Sequence, residues 1–255
     1  MKYFVIADVH GFYDEMIEAL NKAGFDAEND NHMLVSLGDV FDRGKKPIEV
    51  IRFLNQLYIK GKAILIRGNH EDLLMEALYK GGPDYYDITN GTYATVIKLA
   101  EAAGGNPNMA NVKGFGWRLI TEIACENADF MEYMANTVDF FETPHYVFVH
   151  GWVPTKAAMI AVGNRFETKY VVLNNWRKAN RKAWNEARWT NGSEASEQKA
   201  FIDKTIVCGH IHCSAWKADL SGTMEDYKPF YSRDVIALDA CTAYSGFVNC
   251  VVLED

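Results

Sequence analysis

No stretch of this 255-residue sequence approaches the ~18 consecutive apolar residues that a membrane-spanning helix requires. Nor does it open on a leader: Met1-Lys2 runs directly into residues 3–7, an apolar run too short for the core of a signal peptide. Both absences make a cytoplasmic chain without a membrane partner the expectation. Positive charge is scarce as well. Lys and Arg number 26 against 34 Asp and Glu, a net charge of -8, which disfavours duplex nucleic acid because its partners normally present a basic surface. Phosphorylated substrates stay open, since bound divalent cations reverse the sign of an acidic pocket. The five cysteines are odd in number and lack paired spacing, so free thiols in a reducing compartment are expected rather than a disulfide framework. Repeats, low-complexity tracts and linkers are also missing, which favours one domain over residues 1–255.

What is present is an alternation of short apolar runs and helical patterns. The runs at 3–7, 33–37, 63–66, 146–149, 205–208, 235–238 and 247–253 read as strands. Between the first two, Met16, Ile17, Leu20 and Ala23 recur at helical spacing and stop at Gly24. Pro47 opens a second helix with Ile48, Ile51, Leu54 and Leu57 on one face and Gly61 as its stop. This order predicts an α/β chain with parallel strands covered by helices. Residues 72–145 read as helices broken at Gly81-Gly82-Pro83 and Gly104-Gly105-Asn106-Pro107, and 156–200 as mainly helical. Both are expected to be helical insertions capping one end of the sheet.

Five motifs follow strand-like runs: Asp8-Val9-His10, Gly38-Asp39-Val40-Phe41-Asp42-Arg43-Gly44, Gly68-Asn69-His70-Glu71, His150-Gly151 and Gly209-His210-Ile211-His212. Open α/β sheets place ligand sites past strand C-termini. Asp8 and His10 are two apart, so a tight bend must turn both toward one ion, and Gly11 permits it. Asp8, His10, Asp39, Asn69, His150, His210 and His212 offer imidazole, carboxylate and amide donors, which suit Mn, Fe, Zn or Ni rather than Ca. Seven ligands exceed one ion's needs. Two ions sharing Asp39 fit, with Asp8, His10 and His212 on one side and Asn69, His150 and His210 on the other. Cys208 and Cys213 flank the last motif, but these donors already fill two sites without them. A lone strand-end Asp is usually a turn or cap residue, and His32 and His145 are read as structural.

The motifs resemble those of the calcineurin-like metallophosphoesterase superfamily, and the second and third follow its phosphoprotein phosphatase branch. The resemblance implies a four-layer αββα β-sandwich flanked by helices, with two divalent metal ions, Mn foremost and Fe or Zn fitting the same donors. It implies a phosphomonoesterase of serine/threonine protein phosphatase type that uses a water shared by the ions as nucleophile. Its pattern makes His70 the general acid oriented by Asp42, and Arg43 and Asn69 the phosphate-binding groups, with a second arginine expected between His150 and His210. Arg188 is chosen over Arg165, Arg177 and Arg181. His212 and the segment His150-Gly151-Trp152 depart from the eukaryotic-type pattern toward small bacterial and phage-like relatives, which include dinucleoside polyphosphate hydrolases. That is the alternative substrate class. A catalytically silent scaffold is the alternative of another kind, but such a chain should have lost ligands, and here every position is filled. Trp152, Trp176, Trp184 and Trp189 read as core or as a base-stacking wall, with core the expectation for most. The basic run at 177–182 reads as a solvated helix face or an anion-steering patch. Asn90-Gly91-Thr92 reads equally as a turn or as a segment facing the site.

Overall fold

The computed structural model describes residues 1–112, 115–162, 165–196, 202–221 and 226–255. Its strands are β1 (Lys2–Ile6), β2 (His32–Ser36), β3 (Ala63–Leu65), β4 (Phe141–Glu142), β5 (Tyr146–Phe148) and β6 (Thr155–Val162). They continue with β7 (Arg165–Val172), β8 (Thr205–Cys208), β9 (Phe230–Tyr231), β10 (Val235–Ala237) and β11 (Cys250–Glu254). One sheet runs β11-β1-β2-β3 and a second β4-β5-β8-β10-β9. The pairs β1-β2, β2-β3, β5-β8 and β8-β10 are parallel; antiparallel β11 edges the first sheet opposite parallel β3, and antiparallel β4 and β9 edge the second.

The period-two alternation of strand side chains explains why two sheets stack. Val5, Val35 and Val251 point from the first sheet into a shared layer that also holds Phe148, Val207 and Ile236 of the second. The alternate residues Phe4, Ile6 and Leu34 face the other way, into a core completed by helices. In the second sheet Val147, Ile206 and Val235 pack outward against Trp152, Trp176 and Trp184. Each central strand is therefore apolar on both faces, as buried parallel strands are. The layers give a helix-flanked sandwich. Each fully buried Val, Leu, Ile or Phe contributes ~1.5–3 kcal/mol.

The first two helices form as their spacing suggests. Tyr13–Ala23 ends on Gly24 in the left-handed region (φ 81°), and Pro47–Ile59 starts on a proline whose missing N–H is no loss in a first turn. Helices Asn69–Tyr79, Tyr85–Asn90, Thr92–Ala102, Gly116–Cys125 and Ala128–Ala135 fill the segment before β4. Among the described residues no helix is long and apolar enough to cross a membrane.

The reading of 156–200 as mainly helical is corrected. Its first part is the β6-β7 hairpin, and among the described residues helix is confined to Arg181–Arg188, Gly192–Ser196 and a single turn at Trp176–Lys178. The signal was available in β7, where Glu167, Lys169 and Val171 are exposed and Thr168, Tyr170 and Val172 are half-buried. Ala157, Ala158 and Ala161 in β6 are good helix formers, and pairing with β7 overrides that preference. Gly163 and Asn164, between the two strands, lie outside the described residues.

Candidate metal centre

The centre is assembled where strands end and the chain bends back. Asp8, His10, Asp39, Asp42, Arg43 and His210 all have positive φ, between 47° and 72°. For residues other than glycine this region costs roughly 1–2 kcal/mol each, so the surroundings must hold it. They do so through the backbone: His10 N–H donates to the Asp39 carbonyl at 2.8 Å, and Gly44 N–H to the His10 carbonyl at 2.7 Å. The buried Glu71 carboxylate accepts from the N–H groups of Asp39 and Val40 at 3.0 Å and of Gly68 at 2.7 Å. Gly38 and Gly68 let the two loops touch. A Cβ on Gly38 would lie 2.4 Å from the Gly68 nitrogen, and one on Gly68 would lie 2.2 Å from Asp39 Oδ1.

Asp8, His10, Asp39, Arg43, Asn69, His70, His210 and His212 line one open cavity of about 230 Å³, joined by Leu73, Asn90, Trp189 and Asp239. His150 lies buried at its floor, with Nε2 3.3 Å from Asp39 Oδ1 and 2.7 Å from Asn69 Oδ1. Asp39 is central. Its Oδ2 is 3.8 Å from His10 Nε2 and 3.9 Å from His70 Nε2, while Oδ1 accepts from the His70 backbone N–H at 2.9 Å. Two donor groups share it: His10, Asp39 and His70, and Asp39, His150 and His210, each with donor atoms within 4.8 Å of one another. In the first group His70 stands where the sequence grouping puts Asp8 and His212, which line the same cavity outside the cluster.

The chemistry of these donors fits divalent ions. His10 Nδ1 lies 2.7 Å from the Phe41 carbonyl and His150 Nδ1 2.8 Å from that of Leu37. A carbonyl only accepts, so each Nδ1 donates, and the Nε2 lone pair of neutral His10 turns into the cavity. Burial, then His70 and Arg43, push His10 well below its usual pKa, and burial with His150 takes His210 down to about 4. Both are neutral donors near pH 7. Burial, then the Asp239 and Asp39 carboxylates, drive Asp8 well up. Burial would raise Asp39 too, but the imidazoles around it, His150 first, outweigh it and hold that carboxyl well down. Crowded carboxylates facing neutral imidazoles suit cations such as Mn, Fe or Zn. Cys208 and Cys213 stand outside both donor groups: burial pushes Cys208 up and Cys213 to about 12, and Cys213 Sγ donates to the Ala237 carbonyl at 3.2 Å.

His70 is a histidine of another kind. Its Nδ1 is 2.6 Å from Asp42 Oδ2. Burial works against its charge, but Asp39 and Asp42 prevail and its pKa is raised. Arg43 Nη1 contacts the His10 Nε2 lone pair at 2.6 Å, and Nη2 stands 3.3 Å from His70 Nε2, a like charge that does not outweigh the carboxylates. The hydroxyls of Thr92 and Thr95 donate to the two oxygens of Asp42 at 2.8 and 3.0 Å. Asn90-Gly91-Thr92 is thus both a turn, with Gly91 at φ 94°, and a wall of the site.

Arg188 is not brought to the cavity. Only 5% exposed, its guanidinium donates to Asp72 Oδ2 at 2.8 Å and Asn185 Oδ1 at 2.6 Å and pairs with Asp139. Three acceptors occupy the fork that a phosphate would need, and among the described residues Arg43 is the only Lys or Arg lining the cavity. Trp152, Trp176 and Trp184 are buried in the core, whereas Trp189 stands at the cavity, half exposed. His32 Nδ1 accepts from the Asp26 N–H at 3.1 Å, and His145 pairs with Asp255. Sequence reasoning missed Asp239, buried 3.7 Å from His212 Nε2, although it follows β10 as Asp8 follows β1. It also gave no role to Glu71, Thr92 or Thr95.

The two sheets thus deliver these residues from strand ends to one cavity of an α/β sandwich. Residues 1–214 match the family described as calcineurin-like phosphoesterase, and the chain belongs to that family. The asymmetrical bis(5'-nucleosyl)-tetraphosphatase PrpE of Bacillus subtilis is 39% identical over 107 residues, 40% of this chain and 43% of the relative. That of Bacillus velezensis is 37% identical over 107 residues, 40% of this chain and 42% of the relative. Serine/threonine-protein phosphatase 2 of Escherichia coli is 30% identical over 105 residues, 38% of this chain and 45% of the relative. The chain thus spans less than half the length of these relatives. Among solved structures, a cold-active protein tyrosine phosphatase superposes with a TM-score of 0.56 at 15% identity over 99% of this chain and 73% of its own. A provisionally assigned diadenosine tetraphosphatase does so at 0.52 and 16%, over 99% and 89%. Those likenesses show the shared fold.

Proposed function

We propose that the chain is a dimetal-dependent hydrolase of phosphoesters, a phosphomonoesterase of the serine/threonine protein phosphatase type in its chemistry. The observation that carries this is the position of Asp39, one carboxylate shared by two clusters of buried and half-buried imidazoles. Asp8, His10 and His212 on one side and Asn69, His150 and His210 on the other would hold the ions with it. Bound divalent ions supply Lewis acidity that draws charge from the phosphoryl oxygens and makes water nucleophilic near neutral pH.

The chain's own residues do the rest. Arg43, exposed at the mouth, grips phosphoryl oxygens with a planar fork, in concert with the Asn69 amide. His70 presents Nε2 to the cavity with Nδ1 tied to Asp42, so it can give a proton to the departing alkoxide. Thr92 and Thr95 saturate the Asp42 carboxylate and keep it facing His70.

The relatives' names support two substrate readings, phosphoserine or phosphothreonine in proteins and dinucleoside polyphosphates. An aromatic side chain beside the donors favours the second. The test is turnover of the Mn-loaded protein on a phosphothreonine peptide and on diadenosine tetraphosphate, side by side with metal analysis. Two ions per chain with turnover of either substrate is expected, and the larger kcat/KM selects the reading. A chain that binds no Mn, Fe or Zn and hydrolyses neither substrate overturns the proposal.

A further inference from the structure

Five of the six tryptophans are at most 7% exposed; Trp189 is 51% exposed, and it is the one that lines the cavity. Its backbone is well anchored. It caps the helix Arg181–Arg188, its N–H donates to the Glu186 carbonyl at 3.1 Å, and its own carbonyl supports the His210 imidazole. The indole, by contrast, is left open. Among the described residues its one ring contact is His210, at 83° with centroids 6.2 Å apart, so the two do not stack, and the half-exposed indole is open to a third ring.

We infer that Trp189 is a stacking platform for a nucleobase carried on the substrate, which makes it a specificity-determining residue of the hydrolase proposed above. Three further observations favour this occupant. His210 belongs to one of the two donor clusters, so a ring on Trp189 lies one side chain from the place where a phosphate would be held. Asn90 and Leu73 line the same cavity and offer an amide and an apolar surface, the two contacts a base edge and face require. Among the described residues the cavity has one guanidinium, placed for the reacting phosphate, so the protein contacts left for the rest of the substrate are largely uncharged. A phenol ester is the other aromatic class. Its leaving oxygen has little need of the proton that His70 is placed to give, so a ring set apart from the ester bond is the better occupant.

The inference rests on the hydrolase reading but can fail separately from it. Adenosine 5'-monophosphate and ribose 5-phosphate share the same phosphate ester and differ by the base. Each would be measured as a competitor against turnover of glycerol phosphate by Mn-loaded wild type, Trp189→Ala and Trp189→Phe. The wild type is expected to favour the nucleotide by roughly tenfold or more, the scale of one base–aromatic stack. Trp189→Ala should bring the ratio near one, and Trp189→Phe should keep most of it. A ratio near one in the wild type overturns the platform. So does an unchanged ratio in Trp189→Ala, or an equal loss for both ligands, which would mean that the indole acts only by supporting His210. If glycerol phosphate, the peptide and the dinucleotide are all left intact, the hydrolase reading fails. Quenching of tryptophan fluorescence by the same two ligands then still decides whether the base stacks.

Discussion

The floor of the cavity and its rim are built by different rules. On the floor, His10, Asp39, Asn69 and His150 are buried; backbone carbonyls hold the rings of His10 and His150, the His70 N–H holds Asp39, and His10 and Asp39 sit in a costly left-handed conformation. At the rim, Arg43 and Trp189 are exposed, and Asn90 and His212 are half-buried. A floor held this tightly commits the molecule to one chemistry, because its donors cannot move apart without breaking the turns beneath them. The rim can change side chain by side chain without unfolding anything. Membership of a family therefore says more about the floor than about the rim, where the proposed base platform stands.

The largest effect should follow from removing the shared floor carboxylate. Asp39→Asn keeps the size of the side chain but removes the charge common to both donor clusters. Metal content measured by elemental analysis should fall, with a loss of turnover beyond the roughly 10–100-fold that changing an outer-shell partner costs. Retention of both ions would break the claim that one carboxylate joins the two groups. His70→Asn comes next. It should retain the metals yet lose roughly 10²–10⁴-fold in kcat on an alkyl phosphate, and much less on a nitrophenyl ester, whose leaving group needs no proton. An equal loss on both esters would move His70 from proton donor to ligand, the place its nearness to Asp39 also allows.

The same division explains what could be read from the amino-acid sequence. Floor residues follow apolar runs at once, and the bend that turns Asp8 and His10 inward is written locally in Val9 and Gly11. Asp239 carried the same strand-end signal after β10 and could have been found by it. The rim depends on distant partners. Nothing near Arg188 announces that Asp72 and Asp139 will take its guanidinium, so a phosphate-binding role could not be told from a structural one. The β6-β7 ribbon was hidden by its alanines, and its alternation became decisive only once β7 was available to pair with β6. Four tryptophans looked alike in the sequence, and packing alone separated Trp189 from the other three.

Two arginines from neighbouring turns sharpen the comparison, because they make the same kind of ion pair at different depths. Arg188→Ala takes one of two cationic partners from half-buried Asp72, which keeps Arg67 at 2.7 Å, and should cost about 2 kcal/mol of stability through the lost charged hydrogen bonds, read as a fall in the denaturation midpoint. Its kcat/KM, measured well below the new Tm, should change little. A collapse of kcat/KM at unchanged stability would return Arg188 to the phosphate site.

Arg177 gives the smaller effect. Its Nε donates to Glu142 Oε2 at 2.7 Å from a side chain that is 44% exposed. That hydrogen bond, with Lys204 on the same carboxylate, holds Glu142 at about 2. A depressed carboxyl pKa stabilises the fold above the unfolded value near 4.5, and the contribution is lost as pH falls from there toward 2. Arg177→Met should therefore cost at most about 1 kcal/mol at pH 7, with the acid limb of the stability profile moved to higher pH. Lys204 still pairs with Glu142 at 2.8 Å, so part of the depression should remain. Added salt should shrink the wild-type advantage while leaving the cost of Arg188→Ala nearly unchanged, since screening reaches an exposed pair and not a buried one. Equal salt sensitivity in the two variants would show that depth does not separate them.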